Sequence, residues 1–277
     1  MLKQYWKQFK KRKVNYIASF FVILLIIVAI TAPLLAPHNP IRQDVLNTLS
    51  PPSGTYLLGT DHLGRDILSR LIYGSRITVQ IGLIAMFIAT FLGVVQGLIA
   101  GYFGGFIETM IMRFTDMLLS IPGILLAITI IAILGPGINN VIIAIGIASM
   151  PQFTRVVRGS VLSVKENEYV EASRALGQSD IKIITKHILP NIIGPVIVLA
   201  TLRVASAVLN AAALSFVGLG AQPPSPEWGS MLNNARNYMR HAWWFTVFPS
   251  IAIAVSVLSI NILGDSLRDI LDPRTYL

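Results

Sequence analysis

The residues that could do chemistry in this 277-residue chain are few, and their types exclude several reactions. The histidines are scattered, and no pair lies at the helical spacing of two metal ligands; they are His38, His62, His187 and His241. Cysteine is absent, which excludes disulfides, thiolate catalysis and cysteine metal sites. The sequence has neither a glycine-rich phosphate loop nor an H-E-x-x-H zinc motif. We therefore predict no catalytic residues, no metal site and no cofactor on this chain.

The densest group of charged side chains lies in a polar stretch, residues 164–190, between two apolar runs. Its pattern predicts two short helices with a break at Gly177. Ser163 and Glu166 have the spacing of a capping box, which predicts that the first helix begins near residue 164. Gly177 suits the position just past the end of that helix. Pro190 predicts the end of the second helix, with the next span leaving at an angle.

Each predicted helix has an apolar face at helical spacing. The faces are Tyr169, Ala172 and Leu176 on the first helix, and Ile181, Ile184 and Ile188 on the second. Such a helix pair could lie on a lipid surface, pack under the chain's own helices or dock in a groove of a soluble partner. The pattern leaves all three open, although the mixture of acids and bases argues against simple binding to anionic lipid.

The composition is that of an integral membrane protein. Hydrophobic residues make up 54% of the chain and charged residues 13%, and the mean hydropathy is +0.67. A soluble domain carries about 25% charged residues. The net charge of +9 would suggest nucleic acid in a soluble protein, but here the basic residues flank apolar runs. We therefore predict lipid as a partner and no nucleic acid.

The apolar runs predict an all-α, polytopic protein with six transmembrane helices. The first run exceeds twenty residues, which is too long for a signal peptide. The predicted division is a basic tail at 1–13, a first transmembrane helix at 14–36, an outer loop at 37–76, a five-helix core at 77–263 that contains the loop 158–190, and a tail at 264–277. The core spans are predicted near 77–100, 110–134, 141–157, 192–213 and 243–263. Gly93-x-x-x-Gly97 permits close helix approach in the first of them.

The distribution of basic residues predicts the orientation. With the N-terminus in the cytoplasm, the inner segments carry 15 basic residues and the outer segments carry 6. This bias places both termini and the loop 158–190 in the cytoplasm. The outer loop 37–76 is expected to be a solvated connector that closes with a turn and a short helix. Arg113 and Asp116, at i and i+3, are expected to pair with each other.

The polar residues inside predicted spans include Gln96, Arg203, Asn210 and Asn261. A cation near the centre of a span costs about 2.5–3.5 kcal/mol on insertion scales, so Arg203 must face protein or water. Gln96, Arg203 and Asn210 are candidates for a translocation path or for intramembrane pairing. Trp228, in the polar segment 214–242, could anchor an external partner or pack at the interface.

Several motifs carry a resemblance to a known family. Glu171-Ala172-Ser173-x-x-x-Gly177, followed by Leu189-Pro190, resembles the EAA loop of ABC importer membrane subunits. The usual motif has Ala where this chain has Ser173, and commonly Ile where it has His187. Three further blocks resemble the C-type permease subunit of the dipeptide/oligopeptide/nickel importer family. They are 58–76 with L-G-T-D-x-x-G-R-D, 214–232 with Q-P-P-S-P-E-W-G, and 261–273 with N-I-L-G-D-S-L-R-D.

The resemblance implies the type I ABC importer permease fold in a bacterial cytoplasmic membrane. It implies a heterodimer with a B-type permease subunit, two cytoplasmic ATP-binding subunits that hold ATP and Mg, and an extracytoplasmic substrate-binding protein. The loop would then be the site of ATPase coupling, in which Glu171 orients the helix, Ala172 packs in a groove and Gly177 makes the turn. The expected cargo is a dipeptide or short oligopeptide. Nickel or metal-chelate import by the same machinery, a secondary carrier acting alone and a membrane scaffold are the alternatives.

Overall fold

The computed structural model describes residues 13–271, so most of the two predicted tails lies outside the described residues. Within this range the chain is all-α and forms no sheet. The helices are α1 Lys13–Leu35, α2 Ile67–Phe103, α3 Gly105–Leu119, α4 Gly123–Leu134, α5 Ile138–Lys165, α6 Glu168–Ala175, α7 Asp180–Ile183, α8 Leu189–Phe216, α9 Trp228–Ala235 and α10 Trp243–Leu271. Short 3₁₀ helices lie at Val45–Asn47 and Arg236–Tyr238, and a π-helical turn at Ile184–Ile188 joins α7 to α8.

Five helical segments of the described chain are long and apolar enough to cross a membrane. They are α1, α2, α5, the continuous helix Asp180–Phe216 and α10. The predicted span at 110–134 is not a single straight helix, because α3 and α4 meet at a bend of 94°. Pro122, which has no N–H to donate and restricts the residue before it, lies at the break. With this bent pair taken as one span, the candidates number six.

The centre of the fold is the packing of α2 against α5. Glycines of α2 lie against larger side chains of α5: a Cβ on Gly93 would lie 2.3 Å from that of Phe153, and one on Gly97 would lie 2.6 Å from that of Val157. The predicted close approach at Gly93 and Gly97 is confirmed. The two backbones can approach because the glycines have no side chain between them.

The predicted solvated connector is wrong for the end of segment 37–76. Asp61, Arg65, Asp66 and Arg70, here named the Asp61 cluster, are all buried. Arg65 Nε donates to Asp61 Oδ2 at 2.6 Å. Asp66 Oδ2 accepts from the N–H of Ser69 at 2.9 Å and so caps α2, which begins at Ile67 rather than near residue 77. The cost of burying these charges is offset by the ion pairs of Asp61 with Arg65 and Arg70 and by hydrogen bonds to the backbone.

The predicted pair of Arg113 with Asp116 is also wrong. Arg155 of α5 donates instead to Asp116 of α3, with 2.7 Å between Nη2 and Oδ1. A second ion pair joins Arg158 of α5 to Glu108 of α3. The bend between α3 and α4 lays α3 beside α5, so these carboxylates meet arginines of another helix rather than of their own.

The polar stretch contains two further departures. α5 continues to Lys165, so Ser163 and Glu166 do not form a capping box, and α6 begins after Asn167. No break follows at Pro190, because the π-helical turn carries the chain from α7 directly into α8. A proline that cannot donate an N–H is accommodated here by a change of helical register ahead of it.

Candidate functional site

The polar stretch turns an apolar surface outward. Tyr169, Ala172 and Leu176, here named the loop face, lie on the exposed side of α6, with Leu176 81% exposed. Ile181, at the start of α7, is 76% exposed. The apolar periodicity of α6 is as predicted. The surface it produces stays exposed in the described chain, although the Tyr169 ring lies 6.2 Å from that of His187.

The opposite side of α6 packs against α5 and the residues around the π-helical turn. Val170 and Ser173 are buried, and Val170 joins an apolar cluster with Ile183, Ile188 and Val157. Ser173 Oγ donates to the carbonyl of Tyr169 at 2.8 Å. The small side chain that departs from the usual motif is therefore the one that fits against the membrane helices. α6 is anchored by one side and open on the other.

Gly177 has the backbone conformation that ends α6. Its φ is +75°, in the left-handed region that favours glycine. Its N–H donates to the carbonyl of Arg174 at 3.0 Å, and the N–H of Gln178 donates to that of Ser173 at 3.2 Å. This is the Schellman arrangement. The predicted helix break at Gly177 is confirmed.

The remaining motif residues divide between the two sides. Glu171 and Ala172 are exposed, and the Glu171 carboxylate makes no hydrogen bond or ion pair with the described residues. Leu189 is half-buried and packs against the apolar cluster beneath α6, whereas Pro190 is exposed. An unpaired acid beside an exposed apolar face has the composition of a surface that binds a partner.

The polar residues inside the spans have different surroundings. Gln96 accepts from Thr154 Oγ1 at 3.2 Å and lies 3.4 Å from the sulfur of Met150, so it links α2 to α5. Arg203 and Asn210 of α8 are half-buried and form no hydrogen bond or ion pair with the described residues. The structure does not bring the three together in one cluster.

A group of buried polar residues lies at the end of the helices away from the polar stretch 164–190. The sequence pattern did not predict its burial. Arg70 donates through Nη1 to the carbonyl of Pro40 at 2.9 Å, and reaches that of Ser225 through Nη2 at 3.3 Å. Trp228 is buried, and its Nε1 donates to the carbonyl of Leu71 at 3.0 Å. Trp228 therefore packs inside the chain and offers no external anchor. The two motif blocks at 58–76 and 214–232 are joined in space.

Two titratable groups of this end have shifted pKa values. Burial raises the pKa of Glu227, whose carboxylate accepts from the N–H groups of Gly229 and Ser230 and so caps α9. Burial lowers the pKa of His62; its ring stacks on Phe245, with the centroids 5.8 Å apart. Both shifts follow from the cost of charge in an apolar environment.

Comparison with known proteins identifies the family. Residues 93–276 match the family described as binding-protein-dependent transport system inner membrane component. Residues 1–52 match the N-terminal transmembrane domain of oligopeptide transport permease C. The chain belongs to this family of ABC importer permeases. Members of this family are multi-pass proteins of the inner membrane, and the permease is a non-catalytic subunit of its importer.

The permease has close relatives over nearly its whole length. It is 48% identical over 272 residues to the glutathione transport system permease protein GsiD of Shigella flexneri serotype 5b (strain 8401), covering 98% of this chain and 90% of the relative. It is 45% identical over 279 residues to the di/tripeptide transport system permease protein DppC of Pseudomonas aeruginosa (strain UCBPP-PA14), covering 99% and 92%.

Solved structures show that the fold of this permease is that of ABC importers. A chain of the MetNI methionine ABC transporter in an inward-facing conformation aligns with a TM-score of 0.59 and 21% identity, over 74% of this permease and 97% of that chain. A chain of an amino acid ABC transporter solved with histidines aligns with a TM-score of 0.54 and 14% identity, over 72% and 92%. The predicted fold class is confirmed.

Proposed function

We propose that this permease is the C-type subunit of a bacterial importer for dipeptides or short oligopeptides, and that the loop 158–190 couples it to a cytoplasmic ATPase. The substrate class is supported by the names of two relatives, which transport glutathione and di- or tripeptides. Neither name favours nickel import or a carrier that works alone. The assembly contains a B-type permease, two ATP-binding subunits and an extracytoplasmic binding protein. ATP and Mg are held by the ATP-binding subunits.

The observation that carries the coupling role is the exposed loop face. Leu176 is 81% exposed, and with Tyr169 and Ala172 it makes an apolar stripe on a short helix. A stripe of this kind fits an apolar groove on a soluble partner. Glu171 lies beside it with an unpaired carboxylate. We assign Glu171 to orienting α6 in that groove, Ala172 to packing within it and Gly177 to the turn that ends it.

The proposed cycle is mechanical. Closure of the ATPase pair on ATP displaces the docked α6, and the helices continuous with the loop, α5 and α8, tilt with it. The path then opens to the outside and later returns inward after hydrolysis. A ligand shifts such a two-state equilibrium only through different contacts in the two states. The loop face supplies those contacts. With the loop 158–190 in the cytoplasm, as the distribution of basic residues predicts, both termini lie in the cytoplasm as well.

Arg203 and Asn210 are assigned to the surface that meets the B-type subunit. A half-buried arginine without a partner among the described residues requires an acid or water nearby. We assign Arg203 to pairing with an acid of the second permease. Gln96, bonded between α2 and α5, is assigned to intramembrane pairing within this chain.

The coupling role is tested by Leu176→Asp in the reconstituted importer. Because Leu176 is exposed, the substitution should not disturb folding, and a buried carboxylate in the groove would oppose docking. We expect the ATPase subunits to be lost on purification of the complex, and ATP-driven uptake into vesicles to fall by about tenfold or more, the factor that about 1.4 kcal/mol of lost binding would give.

Leu46→Asp is the matched control. Leu46 is 94% exposed and lies in the segment 37–66, at the opposite end of the helices. The same chemical change there should leave ATPase binding intact. Normal ATPase binding and normal uptake by the Leu176→Asp complex would refute the proposal.

A further inference from the structure

The last turn of α2 contains a tyrosine that touches three parts of the coupling region. Tyr102 is 4% exposed although it lies where the helix leaves the apolar core. Its hydroxyl donates to Asp180 Oδ1 at 2.5 Å. Asp180 begins α7, the helix that continues into α8. Hydrogen bonds from a hydroxyl to a carboxylate are short and strong, so this is a firm link between α2 and α7.

The aromatic ring and the backbone of Tyr102 make the other two contacts. The guanidinium of Arg174, on α6, lies over the ring, with its Cζ 5.6 Å from the centroid. A cation placed over an aromatic face is attracted by the electron density of the ring. Lys165, at the end of α5, donates through Nζ to the carbonyl of Tyr102 at 2.7 Å. Tyr102 therefore contacts α5, α6 and α7 at once.

α2 is the helix through which such contacts reach the other end of the molecule. It packs against α5 through Gly97 and also Gly101, whose Cβ would lie 2.7 Å from that of Val161. At its opposite end the carbonyl of Leu71 accepts from Trp228. α2 is not continuous with α6, since the polar stretch connects only α5 and α8. A displacement of α6 can reach α2 only through packing and side-chain contacts, and Tyr102 contacts both Arg174 of α6 and Asp180 of α7.

We propose that Tyr102 is a positioning residue that transmits the movement of α6 to α2, through its bond to Asp180 and its contact with Arg174. The inference rests on the proposed coupling role of the loop. Without the hydroxyl, α6 and its ATPase would still dock and cycle, but α2 would follow incompletely. ATP would then be hydrolysed with less substrate moved.

The test is Tyr102→Phe in the reconstituted importer, with substrate uptake and ATP hydrolysis measured on the same vesicles. The ring over which Arg174 lies and the carbonyl bonded to Lys165 both remain, so the fold should persist. We expect the amount of substrate moved per ATP to fall about threefold to tenfold, within the range known for residues that modulate coupling between sites. ATPase binding and the rate of hydrolysis should stay near wild type.

Tyr73→Phe is the matched control on the same helix. The Tyr73 hydroxyl makes no hydrogen bond with the described residues, so its removal should leave the transport ratio unchanged. Asp180→Asn weakens the acceptor of the proposed link. The double variant Tyr102→Phe, Asp180→Asn should move as much substrate per ATP as the more affected single variant. The reason is that both substitutions act on the same hydrogen bond.

The outcomes separate this inference from the proposed function. The role of Tyr102 would be overturned if Tyr102→Phe moved as much substrate per ATP as the wild type. An equal loss of assembly, hydrolysis and uptake would also overturn it. Additive effects of the Tyr102 and Asp180 changes would do so as well. The coupling role of the loop fails separately, if Leu176→Asp retains ATPase binding and uptake.

Discussion

Arg70 shows how a charged side chain becomes structural in this permease. It is 1% exposed, and its guanidinium reaches the carbonyls of Pro40 and Ser225. Its Nε also lies 3.6 Å from Asp61 Oδ2. Arginine suits this position because its planar group of five donors can bind several acceptors at once. The Asp61 cluster thereby joins two segments that are about 150 residues apart in the chain.

At the residue scale we predict that Arg70→Leu destabilises the permease strongly. The change takes away one of the two cations beside Asp61 and the donors to three backbone carbonyls. Removal of one member of a buried ion pair costs about 3–5 kcal/mol. The apparent Tm in detergent, followed by tryptophan fluorescence, should fall clearly.

Arg76→Leu is the control for Arg70→Leu. Arg76 lies on the same helix, is exposed and has no bond to the described residues, so its loss should change stability by about 0.5 kcal/mol or less. Equal Tm values for the two variants would contradict the structural role of Arg70.

At the scale of elements, the α2–α5 pair depends on a row of glycines. Gly93, Gly97 and Gly101 are spaced four apart on α2 and meet Phe153, Val157 and Val161, which are spaced four apart on α5. Residues four apart share one face of a helix, so each glycine receives one side chain of α5. The same row sets how closely the two helices approach.

We predict opposite effects for two glycine substitutions in this helix pair. Gly97→Ala places a Cβ 2.6 Å from that of Val157, and such overpacking costs about 1–3 kcal/mol. Gly159→Ala on α5 meets nothing within 4 Å and should be neutral or stabilising, since alanine favours helix by about 1 kcal/mol over glycine. Thermal unfolding in detergent compares them. A stabilising Gly97→Ala would contradict the close packing of α2 on α5.

At the scale of the whole molecule, two features of the permease are left exposed or unpaired among the described residues. The loop face is apolar and exposed at one end. Arg203, in the membrane-spanning part of α8, forms no ion pair with the residues that the structure describes. Both features favour contact with another subunit, because an apolar patch in water and a cation within a membrane span each cost free energy. The heteromeric assembly proposed for the importer accounts for both.

We predict that Arg203→Ala lowers the yield of complex with the second permease, whereas Arg203→Lys retains most of it. Removal of the cation would leave an acid of the partner unpaired, at a cost of about 3–5 kcal/mol, and lysine would keep the charge. Co-purification of the tagged subunits measures assembly, and vesicle uptake is measured in parallel. Full assembly of Arg203→Ala with lost uptake would refute pairing and assign Arg203 to the path.

The sequence by itself determined the membrane class, the approximate spans and the family resemblance. Spans follow from runs of apolar residues longer than the bilayer requires, and such runs are local. The break at Gly177 and the apolar stripe of α6 are equally local, because a left-handed residue and a helical period each depend on a few neighbours. The motif at Glu171 was visible for the same reason.

Only the tertiary structure decided which polar groups are buried and which polar groups bind one another. The segment ending at Arg70 has the composition of a solvated connector, yet its charges are buried because the carbonyl of Ser225 lies beside them in space. Asp116 has a basic neighbour three residues away but pairs with Arg155 across the α3–α5 contact. Tyr102 shows nothing unusual in the sequence, and Asp180 is 78 positions away. Each of these three polar links joins residues that are distant in the sequence, so it forms only when the helices are packed.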